Sequence, residues 1–114
     1  MKIKLDFVTN SSSTAFLITN KSNKIKTLVE FVDENPQLIQ QFIQEYEPTN
    51  LGHYNQEELL KSAAKVNFAF QPGEQKYCIF GDEDGTLIGG VFDYILRDGG
   101  SSKHFIWRFF EYLR

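Results

Sequence analysis

The last third of the chain, Lys76 to Arg114, constrains the fold most strongly. Its apolar residues change from a continuous run to helical spacing and then to alternation, with a turn signal at each change. Lys76-Tyr77-Cys78-Ile79-Phe80 is a short apolar run, and Gly81-Asp82-Glu83-Asp84-Gly85 is a tight acidic loop. Leu87, Ile88, Val91, Phe92, Ile95 and Leu96 then repeat at helical spacing. Gly99-Gly100 stops the helix. Phe105, Trp107 and Phe109 alternate as a strand does, although Phe105, Ile106, Phe109, Phe110 and Leu113 also fit one helix face. Aromatic enrichment after the glycines favours the strand. Strand, helix and strand together predict a right-handed crossover with parallel strands.

Upstream, Ile3, Leu5 and Phe7 alternate with charged residues, and Thr14 to Thr19 is a more continuously apolar strand. With the turn-forming run Thr9 to Ser13 between them, they predict a hairpin. Ile25, Leu28, Val29 and Val32 predict an amphipathic helix capped by Asn23. Asn35-Pro36 predicts a new start, with Asn35 as the cap and Pro36 in the first helical position, and Leu38, Ile39, Phe42, Ile43 and Tyr46 on one stripe. Asn55-Gln56-Glu57-Glu58 resembles a capping box ahead of Leu59, Leu60, Ala63 and Ala64. Val66, Phe68 and Phe70 alternate before Pro72-Gly73, which predicts a second hairpin with Tyr77 to Phe80. Two glycines inside the last helix, Gly89 and Gly90, imply either close packing or a break. The expected architecture is a single α+β domain over residues 1–114. Its sheet would be mixed, with about five strands from two hairpins and a C-terminal βαβ crossover, and helices packed on it.

The chain has 114 residues, eleven of them Phe and five Tyr, so a few elements can still bury a large core. The net charge of −3 argues against a nucleic-acid footprint. One cysteine, Cys78, excludes an intrachain disulfide, and its apolar neighbours predict a buried thiol. Asp6 and the polar run after it interrupt any signal-peptide core, and no apolar stretch approaches the ~20 residues of a membrane span. A cytoplasmic setting follows as the expectation.

No complete catalytic or cofactor motif appears. Asp82, Glu83 and Asp84 place three carboxylates in one loop, which suits a divalent metal, with His104 as a possible further ligand. The plainer role for this stretch is at the start of the following helix, with Asp84 or Thr86 as its cap. His53 and His104 are distant in sequence and form no metal-ligand pair. Ser11 to Ser13 lack the glycines and lysine of a phosphate loop. The C-terminal segment carries more apolar residues than one buried face can hide. Trp107, Arg108, Phe110, Tyr112 and Leu113 are therefore expected to meet a protein partner or a second subunit.

Phe7-Val8-Thr9-Asn10-Ser11-Ser12-Ser13, with Phe16 soon after, resembles a short opening segment of many uncharacterised bacterial, archaeal and phage proteins. Thr14-Ala15 stands here where further serines are common. The resemblance covers under a fifth of the chain. It implies a prokaryotic or phage origin and assigns no activity, cofactor or site residue. Two function classes follow from the residues: a protein-binding or self-associating module, or a metal-dependent enzyme or regulator built on the loop at 81–85.

Overall fold

The computed structural model describes residues 13–48, 54–66, 68–81 and 86–113. Strand β1 (Ser13–Asn20) is central to a four-stranded antiparallel sheet with β4 (Gln75–Gly81), β6 (Phe105–Leu113) and β5 (Gly100–Ser101), in the order β4-β1-β6-β5. A separate two-residue ladder joins β2 (Lys26–Thr27) to β3 (Ala69–Phe70). Helices α1 (Leu28–Glu34), α2 (Gln37–Tyr46), α3 (Gln56–Ala64) and α4 (Leu87–Ile95) complete an α+β fold.

The final segment is a strand, as the aromatic alternation predicts, but its neighbour differs from expectation. β4 and β6 both pair antiparallel with β1, so they run parallel to each other with β1 between them. The crossover through α4 therefore skips one strand. β1 suits the central place because it is apolar on both faces, with Ala15 and Leu17 on one side and Phe16 and Ile18 on the other.

The expected second hairpin does not form. The turn exists, with Gly73 at φ 75°, but Phe70 pairs with Lys26 and Gln75 pairs with Thr19. Asn20 redirects the chain. Its backbone N–H donates to Glu74 O and its carbonyl accepts from Gly73 N, both at 2.9 Å. Its buried side chain donates to Lys24 O at 2.7 Å and to Phe70 O at 3.1 Å. The turn is thus tied to the end of β1 and delivers β4 along it. The other expected hairpin needs residues 3–7, which lie outside the described residues; both edges of β1 are taken by β4 and β6.

Helix starts follow side-chain caps. α1 begins at Leu28 rather than near Ile25, because Thr27 and Glu30 form a capping box. Asn35 does not cap α2; its buried amide donates to Phe31 O at 2.7 Å and closes α1. Asn55 caps α3 and Thr86 caps α4, as expected. α4 runs unbroken through Gly89 and Gly90.

All four helices contribute to one core, which meets the sheet through Phe16, Ile18, Cys78, Phe80, Phe105 and Trp107. Phe31 lies at its centre. Its ring sits edge-on to Phe92, Phe105 and Trp107 at 5.5, 5.0 and 5.4 Å. Such edge-to-face contacts add to the area each ring removes from water. Gly100 is required where β5 crosses Trp107, since a Cβ there would meet the indole at 2.6 Å. The glycine pair that ends the helical pattern thus also seats the tryptophan.

Candidate interaction surface

The sheet has two faces, and the helices cover one. Strand alternation sends Tyr77 and Ile79 of β4, Leu17 of β1, and Ile106 and Arg108 of β6 to the other. A bulge then changes the phase of β6: Phe16 pairs with Phe109, but Ala15 pairs with Glu111. Phe110 is the extra residue, and the bulge leaves both Phe110 and Glu111 on the open face. The Phe110 ring reaches across β1 to stand edge-on to Tyr77 at 5.6 Å. Tyr77 also donates its hydroxyl to Glu111 Oε2 at 3.1 Å. The result is an apolar surface in open water: Ile79 is 52% exposed, Phe110 47%, Tyr77 45% and Ile106 41%.

The predicted partner residues divide between the two sides. Arg108 and Phe110 lie on the open face. Trp107 does not: it is 4% exposed and packed on Phe31 and Gly100, because it pairs with core-facing Ile18. Tyr112 is exposed, but it pairs with Thr14 on the helix side and covers Arg97, ring to guanidinium carbon 5.0 Å. Leu113 is half-buried opposite Ser13. Tyr77, Ile79, Ile106 and Leu17 complete the surface and were not expected. A signal for the first two was present, since an unbroken apolar run in a strand must place apolar residues on both faces.

The predicted metal residues are described only in part. Asp82, Glu83 and Asp84 lie outside the described residues, as does His53. Gly81, where the loop begins, pairs with Ser13, while Phe105, next to His104, pairs with Asn20. These are the two ends of β1, about 23 Å apart at ~3.3 Å per residue. His104 is held elsewhere, with Nδ1 2.8 Å from Glu34 Oε1, and Lys26 Nζ lies 2.7 Å from Glu34 Oε2. Burial would raise the Glu34 carboxyl, but hydrogen bonds from Lys26 and His104, and their charges, hold it below its ordinary value. Among the described residues no three His, Cys, Asp or Glu side chains gather as a metal-binding group. Cys78 is buried, and loss of solvent pushes its thiol up to about 12, so it is a packing residue and a poor nucleophile.

A second polar cluster sits on the helix side. Thr14 donates to the fully buried Asp93 at 2.5 Å, and Arg97 Nη2 approaches the same carboxylate oxygen at 3.0 Å. Arg97 Nε donates to Asp93 O at 2.6 Å, and Tyr94 and Tyr112 lie against its guanidinium. This cluster ties α4 to β1 and to the end of β6. The i,i+4 pair was legible in the sequence; Thr14, 79 residues from Asp93, was not. The opening segment that resembles bacterial and phage proteins lies outside the described residues except for Ser13. No helix among the described residues is long and apolar enough to cross a membrane. No protein-family model matches this chain, and no curated protein or solved structure shows significant similarity to it.

Proposed function

We propose that this chain is a protein-binding module that works through the open face of its sheet. The observation that carries this reading is the row of half-exposed Tyr77, Ile79, Ile106 and Phe110 on the side opposite the helices. Three strands at ~4.8 Å spacing over about seven residues give a face of about 14 by 23 Å, or roughly 330 Å² when flat. A face of this size is in the range of the largest apolar patch on a soluble monomer, which is often a functional one. Its composition fits a protein rather than a polyanion: Arg108 and Glu111 balance each other on the face, and the whole chain is acidic.

Purification from the native cells, with wild type and Phe110→Glu side by side, tests the reading. The substitution is expected to remove an associated protein, whether another copy or a different chain, while circular dichroism stays unchanged. Identical associated proteins in both preparations would sink the proposal.

A further inference from the structure

Resting on that reading, we propose that the occupant of the open face is a second copy of this chain, stacked sheet on sheet about a two-fold axis. The argument comes from strand register. Tyr77, Leu17 and Arg108 stand side by side in one row across β4, β1 and β6. Ile79, Ala15 and Glu111 stand side by side in the next row. A two-fold axis lying between the sheets, across the strands and between these rows, places each row on the other row of the second copy. Tyr77 then meets Ile79 and Arg108 meets Glu111, while Ala15, at 0% exposure, lies behind the contact. Apolar faces apolar and cation faces anion in these pairs. Phe110, bulged between Arg108 and Glu111, lies beside the axis and meets its own copy.

Aligned sheets pack about 10 Å apart at about 30°. At that angle the strands flanking β1 are displaced by only about 2–3 Å at ~4.8 Å spacing, so the pairs survive the twist. Charge fits as well. The chain carries −3, so two copies repel generally, but they meet on a face whose charges cancel. The face is smaller than the ~800 Å² per partner of a standard interface. The dimer is therefore weak and concentration-dependent, and the two ion pairs set register more than strength.

Sedimentation from low to high micromolar concentration tests this with wild type, Phe110→Glu, Arg108→Glu and the exchange Arg108→Glu with Glu111→Arg. Wild type is expected to dimerise reversibly. Phe110→Glu is expected to abolish dimerisation, Arg108→Glu to weaken it about tenfold, and the exchange to restore most of the loss. A dimer indifferent to Phe110→Glu, or a charge exchange without recovery, overturns the stacking. A wild type monomeric throughout overturns the second copy. If that monomer still binds another protein that Phe110→Glu loses, the reading of the face as a binding surface stands; if it binds none, both fall.

Discussion

The two faces of the sheet are built from the same three strands and differ in what covers them. On the helix side Phe16, Phe80, Phe105 and Trp107 are enclosed by Phe31 and Phe92. On the other side Tyr77, Ile79 and Phe110 are about half exposed and meet water. Folding stability needs only the first. An antiparallel sheet can leave one face solvated, but that face is ordinarily polar. An apolar second face in water is the feature that the proposed binding role accounts for.

Substitutions on the closed side are expected to cost most. Phe31→Ala removes the ring at the centre of the core and should lower unfolding free energy by about 3–5 kcal/mol. Equilibrium denaturation measures this directly, and a loss under about 1 kcal/mol would break the contrast between the faces. Asp93→Asn leaves Arg97 against a neutral partner inside the fold. The expected loss is about 2–3 kcal/mol, below the range for a fully buried pair because Arg97 is 25% exposed. A double-mutant cycle with Arg97→Met separates the pair from its packing. Gly100→Ala drives a methyl group into the Trp107 indole, and about 1–3 kcal/mol is expected, with a change in tryptophan emission.

Titration sharpens the same comparison. Glu34 has a lowered carboxyl in the fold, so its stabilisation is present above the ordinary value of 4.5 and is lost as pH falls through the depressed one. Cys78 holds its proton to about 12 in the fold, against 9.0 when exposed. Between those values only the unfolded chain is deprotonated, so stability should fall with rising pH. Denaturant midpoints across pH check both limbs, with Glu34→Gln flattening the acid one and Cys78→Ala the alkaline one. The smallest effect belongs to the open side. Phe110→Ala should change stability by less than about 0.5 kcal/mol, and a larger loss in the monomer would mean that Phe110 belongs to the core.

Local chemistry made much of the fold legible. The stripe of α2, the Asn55 and Thr86 caps and the strand character of residues 105–109 follow from spacing and side-chain type. The start of α1 was also readable, because Thr27-x-x-Glu30 is a capping box; periodicity alone drew Ile25 into the helix, where its half-exposed side chain does not belong. Partner choice was not legible. Nothing near Phe70 says that it pairs with Lys26 while Gln75 goes to Thr19, since the deciding group is Asn20, 50 residues before Phe70. The candidate site divides in the same way. An apolar surplus in residues 105–113 was visible, but the register that turns Trp107 inward, and the bulge that brings Glu111 to the open face beside Phe110, exist only opposite β1.

The sequence by itself determined the α+β class, the Asn55 and Thr86 helix caps, the buried thiol and the excess of aromatic side chains near the C-terminal end. These depend on interactions within a few residues or on composition, which a string of residues records. Tertiary structure alone decided that β1 separates β4 from β6, that Trp107 faces inward and Phe110 outward, and that Leu17, Tyr77 and Arg108 share one row. Each of those follows from register between strands far apart in the chain, where a shift of one residue reverses every side chain.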